Sequence, residues 1–461
     1  MILRPYQDSI ICQTRVAMNQ GLKRPLIVAP TGSGKTVMFS YFTSQAVQKG
    51  NRVLILAHRE ELLDQIGETL SKFKVHHSYI ASTRPYDPAS MVQVGSVFTV
   101  INRLNSIRRP DIIIVDEAHH AATSTTWGRV ISHFKTWVIG VTATPTRLSG
   151  EPLGDVFDHM ILGPTVRELI GQGALCPYKY YAPTTIDMTG VRSQMGDFAR
   201  GETLKVVDRP SITGSAVSGY RKLLSGKRAA IFCVSVEHSE HVAAQFREAG
   251  IPAESLDGKM DRPLRRSLVS RFKSGDIKIL TNCSIITEGF DLPAMDGVIL
   301  LRPTMSLSLF LQMVGRSLRP YENKTHAVIL DHVGNIQRHG LPCADREWSL
   351  NTGIKPTRKA TDSGPPVKIC ERCFGAQPSG KPSCIYCNHI FELKTRKIDE
   401  VDGELKEIDP QALRRKKVIE QARAQSEDEL YQIGVARGYK HPRRWAKHVF
   451  QSRQAKRIKL S

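Results

Sequence analysis

The sequence has 461 residues, 41% hydrophobic and 24% charged, with 65 Lys+Arg against 44 Asp+Glu and a net charge of +21. A chain this long exceeds one compact domain and suits two or three, and its apolar share excludes wholesale disorder. No apolar run approaches the ~20 residues of a membrane span. The opening Met1-Ile2-Leu3-Arg4-Pro5 also lacks the basic stretch and apolar core of a secretion signal, so a soluble, cytoplasmic protein without a membrane partner is expected. Residues 351–461 carry 24 Lys+Arg and 13 Asp+Glu, a net +11, so half of the excess lies in the last quarter of the chain. That balance favours a polyanionic partner, most often nucleic acid.

The first 150 residues alternate apolar runs with helical patterns. Pro25–Ala29, Val53–Ala57, Ile112–Val115 and Val138–Val141 are continuously apolar. Such runs predict strands of a parallel sheet covered on both faces. The intervening stretches 36–49 and 60–73 are long enough for crossover helices. The pattern weakens over 151–220, which reads as a connecting segment. It resumes with strands predicted at 229–234, 278–280, 297–301 and 327–330 and helices at 239–249 and 307–314. The fold class is therefore α/β with two tandem parallel-sheet domains, 1–150 and 221–350. Residues 351–366, rich in Gly, Pro, Lys and Thr, read as a linker. A cysteine module over 367–392 and a basic, mainly helical extension over 393–461 complete the chain.

Ala29-Pro30-Thr31-Gly32-Ser33-Gly34-Lys35-Thr36 lies between a predicted strand and a predicted helix. It has the form of a phosphate loop with Ala29 in place of the first glycine. Gly32 and Gly34 let amide groups turn toward phosphate oxygens, Lys35 supplies a cation and Thr36 a hydroxyl for Mg²⁺. A Gly-rich turn is the bland alternative, and the flanking strand and helix argue against it. Asp116-Glu117-Ala118-His119 follows the strand 112–115 directly. Asp116 is placed to hold Mg²⁺, Glu117 to orient and deprotonate a water, and His119 to link the nucleotide site to the second domain.

These residues resemble the DEAH-box helicases of superfamily 2, whose two lobes are RecA-like. The resemblance covers about residues 1–345 and rests on motifs occurring in order. Leu3-Arg4-Pro5-Tyr6-Gln7 resembles the adenine-reading motif, which implies Arg4 and Gln7 at the nucleotide. Ala57-His58-Arg59-Glu60-Glu61-Leu62 and Gly95-Ser96-Val97 with Thr99 resemble the motifs at the nucleic-acid face, implying Arg59 and Thr99 near phosphates. Thr142-Ala143-Thr144-Pro145 resembles the motif coupling hydrolysis to movement. Thr287-Glu288-Gly289-Phe290-Asp291-Leu292-Pro293 resembles the cleft-lining motif, with Gly289 and Asp291 at the nucleotide. Gln312-Met313-Val314-Gly315-Arg316-Ser317-Leu318-Arg319-Pro320 resembles the arginine-finger motif, with Gln312 coupling and Arg316 and Arg319 one helical turn apart. Within the superfamily the sequence is most similar to bacterial RadD-type DNA-repair helicases and their phage-encoded relatives, on Leu3–Gln7, on Asp331-His332-Val333-Gly334-Asn335 with Arg338-His339-Gly340, and on the cysteine module. The resemblance implies ATP and Mg²⁺ as ligands, and DNA with single-stranded character as partner. A translocase that does not separate strands, an RNA helicase and a non-catalytic nucleic-acid scaffold are the alternatives.

Of nine cysteines, Cys370, Cys373, Cys384 and Cys387 form two Cys-x2-Cys pairs ten residues apart. That spacing predicts one closed, structural Zn²⁺ site. In the tail, Gly438–Phe450 interleaves Tyr439, Trp445 and Phe450 with cations. This pattern suits either a strand-binding surface or the core of a small helical unit.

Overall fold

The computed structural model describes residues 3–458 apart from 83, 148–150, 184, 185, 187, 195, 259, 284–294, 352–366, 392–418 and 440. The chain forms two compact units, Met1–Phe391 and Glu392–Ser461.

The first unit opens on helix α1 (Pro5–Asn19), followed by β1 (Pro25–Val28), α2 (Lys35–Gln48), β2 (Val53–Ala57), α3 (Glu60–Lys72), β3 (Ser78–Ile80), β4 (Val92–Ser96) and α4 (Val97–Val100). Then come β5 (Ile112–Asp116), α5 (Thr126–Phe134), β6 (Trp137–Thr142) and β7 (His159–Leu162). The strands form one parallel sheet in the order β3-β4-β2-β5-β6-β1-β7. Every residue of β1, β2 and β5 is buried, as expected of a sheet flanked on both sides. On one face α1, α2 and α3 contribute Ile10, Phe39, Leu63, Ile66 and Leu70. On the other, α4 and α5 contribute Val97, Val100, Trp127 and Ile131.

The stretch 151–220, which reads in sequence as a connector, supplies elements to both lobes. β7 pairs with β1, Leu26 opposite Met160. After α6 (Val166–Gly171), β8 (Tyr178–Tyr181) pairs with a strand of the second sheet, Val328 opposite Lys179. A short hairpin, β9 (Ser193–Gln194) and β10 (Asp197–Phe198), precedes α7 (Arg200–Val207) and α8 (Pro210–Leu223). The second lobe continues through β11 (Ala229–Phe232), α9 (Val236–Glu248), β12 (Ala253–Leu256), α10 (Arg262–Ser274), β13 (Ile279–Asn282), β14 (Gly297–Leu300), α11 (Leu307–Gly315), β15 (Ala327–Asp331) and α12 (Asn335–His339). Its strands are parallel, in the order β12-β13-β11-β14-β15-β8.

The Asp331–Gly340 segment acts inside this lobe as a lock. Buried Asp331 accepts the Tyr180 hydroxyl at 2.9 Å and the amides of Val333 (3.1 Å) and Ile336 (2.8 Å). Asn335 Oδ1 accepts the Thr304 amide at 3.0 Å, and its amide group donates to Arg302 O at 3.0 Å. Asp197 of the hairpin accepts the Thr304 hydroxyl (2.8 Å) and the Met305 amide (2.7 Å). Together these bonds fix the loop leading into α11. They also satisfy polar groups whose burial would otherwise cost about 1–3 kcal/mol each.

Beyond α12 the chain returns to the first lobe. The Arg346 guanidinium donates to the carbonyls of His339, Leu341, Pro342 and Ala344 at 2.9–3.4 Å. Trp348 and Leu350 then pack on the first lobe's core, and Leu350 O accepts the Gly154 amide at 2.9 Å. The cysteine module follows on β16 (Val367–Ile369) and β17 (Ala376–Pro378). It sits on the edge strand β8, where Ala182 N–H donates to Phe374 O at 2.9 Å and Tyr181 bridges Gly375. An open sheet edge is thereby covered.

The lobes also meet at the C-terminal ends of their strands. Arg265 in the first turn of α10 donates to Glu61 in the first turn of α3 at 2.5 Å, and holds the Gly258 and Met260 carbonyls at 3.0 and 3.1 Å. A partly exposed pair of this kind is worth about 0.5–1 kcal/mol. Glu61→Gln is expected to shift the balance of closed to open lobes about two- to fivefold, read without nucleotide as a larger radius of gyration in solution scattering. A profile superimposable on the wild type would show that other contacts hold the lobes together.

Candidate nucleotide site and strand face

The site grows from the order of the first sheet. β5, β6 and β1 are neighbours, and their C-terminal ends carry Asp116, Thr142 and the phosphate loop. Parallel sheets present ligand sites beyond these ends. Ala29 continues the ladder, its amide donating to Thr142 O at 2.9 Å, so the missing first glycine costs the loop nothing. Gly32 (φ +89°) and Gly34 (φ +81°) take the left-handed turns that other residues resist. Lys35 opens α2, with its ammonium 3.3 Å from Ala29 O and 3.5 Å from Pro30 O. Burial lowers its pKa, Glu117 and Asp116 draw it back up, and Arg316 and Arg319 depress it further. Ser33 is buried, and its hydroxyl has no hydrogen-bond partner among the described residues. An orphaned polar atom in a cradle of amides fits a phosphate ligand. Pro30, Thr31 and Thr36 complete the loop and the first turn of α2.

Asp116 is buried, and its Oδ1 accepts the Glu117 amide at 3.0 Å. Glu117 has a left-handed backbone (φ +50°, ψ +51°), a strain of about 1 kcal/mol or more for a residue with a side chain. His119 Nδ1 lies 3.0 Å from Thr142 Oγ1 and 3.3 Å from Glu117 Oε2. The Thr142 hydroxyl donates to Thr144 O at 3.0 Å. With the Thr142 hydroxyl donating to Thr144 O, its oxygen is left to accept from Nδ1, which therefore carries the proton, and the Glu117 carboxylate lies within ion-pair distance of it. His119 thus ties Glu117 to the Thr142–Thr144 segment within the first lobe. The sequence reading had it reaching the second.

Across the cleft, α11 ends at Gly315 and Arg316 begins a turn, so Arg316 and Arg319 do not share a helical face as expected. The end of the helix abuts the phosphate loop: a Cβ on Gly315 would lie 2.7 Å from Thr31 Cβ, so only glycine fits there. The turn nevertheless places both guanidinium groups close enough to Lys35 to shift its titration, and Arg316 is buried. Gln312 is buried in α11 one turn before Gly315, and its Nε2 has no partner among the described residues.

Gln7 is also placed differently from a free base reader. Its Oε1 accepts the Arg4 amide at 3.0 Å, and its Nε2 donates to Ser33 O at 3.0 Å, alongside the Tyr6 hydroxyl at 2.8 Å. Gln7 therefore braces the phosphate loop against α1, while Arg4 is exposed. Gly289 and Asp291, with the rest of their motif, lie outside the described residues.

Arg59 immediately precedes α3 after β2, and Thr99 lies in α4 after β4. β2 and β4 pair with Ala57 opposite Ser96, so the two residues stand at adjacent strand ends, beside the nucleotide-bearing ends. Sequence reasoning missed Phe98 next to Thr99. It is 60% exposed, and in sequence it stands between Val97 and Thr99 with Val100 and Ile101 following, which gives no sign of that exposure. Ser235, which caps α9 at the end of β11 by accepting the His238 amide at 3.0 Å, was also missed. A serine between an apolar run and a helix could have found it.

In the cysteine module, Cys370 and Cys387 sulfurs are 3.7 Å apart, Cys373 and Cys384 sulfurs 3.6 Å, and all four lie within 4.8 Å of one another. Tetrahedral Zn–S bonds of about 2.3 Å place sulfurs about 3.8 Å apart. The pairs are built alike: Phe374 and Asn388, each just past the second cysteine, have positive φ (60° and 56°). The thiolate set fits a closed zinc site.

Known families and proteins agree with this geometry. Residues 1–147 match the family described as type III restriction enzyme, res subunit, and residues 216–321 the helicase conserved C-terminal domain. A Lactococcus phage protein (isolate 7-9) named only as a 51.5 kDa protein is 38% identical over 80% of this chain and 79% of its own length. A Saccharomyces cerevisiae protein described as an ATP-dependent helicase, IRC3, is 32% identical over 72% of this chain, which spans about half (52%) of that relative. The ATP-dependent type ISP restriction-modification enzyme LlaBIII, solved bound to DNA, shares the fold with a TM-score of 0.54 at 20% identity, over 71% of this chain and 27% of the enzyme. Among the described residues no helix is long and apolar enough to cross a membrane. With a phosphate-loop lobe and a helicase C-terminal lobe joined across one cleft, the chain belongs to the superfamily 2 helicases.

Proposed function

We propose that the protein is a DEAH-type, DNA-stimulated ATPase of RadD-like character that moves along single-stranded DNA during repair or recombination. One observation carries this reading: Lys35, Asp116 and Glu117 of the first lobe converge with Arg316 and Arg319 of the second. Lys35 and the loop amides bind the polyphosphate, and Thr36 and Asp116 hold Mg²⁺, which neutralises charge on the phosphates. Glu117, oriented by the His119 N–H, takes the proton of the attacking water, and Arg316 and Arg319 stabilise charge spreading over the transferred phosphoryl oxygens. Thr142, Thr144 and Gln312 transmit the change of ligand to the strand face at Arg59 and Thr99. Gly289 and Asp291 are assigned to the nucleotide on the sequence resemblance alone. Lobe closure is then favoured by a ligand that contacts both lobes and released when the bridge is cut. The likeness to a restriction-modification enzyme solved with DNA supports DNA over RNA; translocation without strand separation is the second reading.

Steady-state ATPase with and without a 20-nucleotide DNA or the RNA of the same sequence tests the proposal. DNA is expected to stimulate turnover more than RNA. Glu117→Gln is expected to lower kcat about 10²–10⁴-fold while keeping ATP binding. Turnover indifferent to any strand would contradict the motor, and equal stimulation by RNA would contradict the choice of DNA.

The cysteine module is proposed to hold one structural Zn²⁺ through Cys370, Cys373, Cys384 and Cys387. Metal analysis is expected to give one zinc per chain, with Cys384→Ser losing it and lowering the melting temperature through the uncovered β8 edge. A wild-type chain purified without zinc and unaffected by chelator would overturn this assignment.

A further inference from the structure

The second unit holds a helical hairpin that the motor does not use. Its helices are α13 (Glu427–Ala436) and α14 (Pro442–Ile458), joined through Gly438 (φ +68°). Leu430 and Ala446 are fully buried between them, with Ile433, Val449 and Phe450 packed around. The apolar side of α14 is therefore spent on α13. Over its 17 residues α14 has no Asp or Glu and six Lys or Arg. Of its described basic side chains, Arg443, Arg444, Lys447 and His448 are exposed, and the spacing of Arg444, Lys447 and His448 puts those three on one face.

Beside that face the structure keeps two aromatic rings at the surface. Tyr439 and Trp445 meet edge to face, 4.9 Å apart at 70°, and Tyr439 is 40% exposed. Trp445 packs against Gly434 on one side, where a Cβ would come 3.1 Å from Cε3. It also borders a surface groove lined by Tyr439, His441, Arg444 and His448. Trp445 thus serves both roles that the sequence left open, core and surface.

We propose that this groove is a second binding site for single-stranded nucleic acid, a tether separate from the motor cleft. The reading builds on the proposed motor but has its own chemistry. Cations on one helical face suit a phosphate backbone, and the exposed ring beside them suits an unpaired base. A duplex hides its base faces and would leave the rings unused. A membrane would need an apolar face on α14, which α13 already occupies.

Fluorescence anisotropy of the full-length chain with labelled dT20, without nucleotide and across a salt series, tests the tether. Arg444→Glu with Lys447→Glu is expected to weaken binding about 10-fold or more and to reduce the salt slope by about 1.4, two phosphate contacts on a single strand. Tyr439→Ala is expected to weaken it about 5-fold or more with the slope unchanged, and Tyr439→Phe to bind like the wild type. All three variants should keep the wild-type ATPase rate at saturating dT20. Wild-type affinity in both the charge-reversal and Tyr439→Ala proteins would overturn the tether and leave the motor standing. Equal losses for a blunt duplex, or displacement of dT20 by polyglutamate of equal charge, would overturn base stacking and the choice of occupant. If the wild type binds dT20 but shows no stimulated ATPase, the motor fails and the tether survives. If it does not bind dT20, both fail.

Discussion

The structure turns on like charges brought together. Lys35 from one lobe and Arg316 and Arg319 from the other lie close enough to repel, and among the described residues Asp116 and Glu117 are the carboxylates that offset them at Lys35. Cations at such distances repel, and more strongly where water is excluded. A polyanion between them turns that repulsion into attraction. The site therefore ties lobe approach to the charge of its ligand, and a nucleotide losing its terminal phosphate loses part of that hold. Gly315 against Thr31 sets how near the lobes come.

Everything else positions these five groups. The order β3-β4-β2-β5-β6-β1-β7 puts the ends bearing Asp116, Thr142 and the phosphate loop side by side, and the ends leading to Arg59 and Thr99 beside them. A change at Glu117 has a short route outward through His119 and Thr142. In the second lobe, Asp331, Asn335 and the Asp197 hairpin hold the loop that launches α11. The Arg346 turn and the Trp348–Leu350 return hold the same lobe to its partner from behind. The Glu61–Arg265 pair spans the lobes on the strand side, so the two halves touch at more points than the nucleotide requires.

Much of this was legible in the sequence. Buried parallel strands announce themselves as unbroken apolar runs, so Val53–Ala57 and Ile112–Val115 were read correctly. The edge strands were not: Ser78–Ile80 is three residues long, and Tyr178–Tyr181 is aromatic and half-exposed, with no two-sided burial to mark it. The phosphate loop was legible because glycine spacing reports backbone geometry directly. The left-handed turn of Glu117 was not, since an acidic residue gives no sign of it. The close approach of Gly315 to Thr31 was hidden because it joins two lobes far apart in sequence. The Glu61–Arg265 pair joins residues 204 positions apart, which local pattern does not reveal. The engagement of Gln7 with Ser33 O was not legible, because it depends on how α1 docks.

The central claim is that a cation from the second lobe acts on the ligand held by the first. Single-turnover ATP hydrolysis by Arg316→Ala, at saturating ATP and strand, tests it most directly. The account predicts a fall of about 10³–10⁵-fold in the hydrolysis rate with ATP affinity changed far less. Hydrolysis at the wild-type rate by a folded Arg316→Ala protein would contradict it.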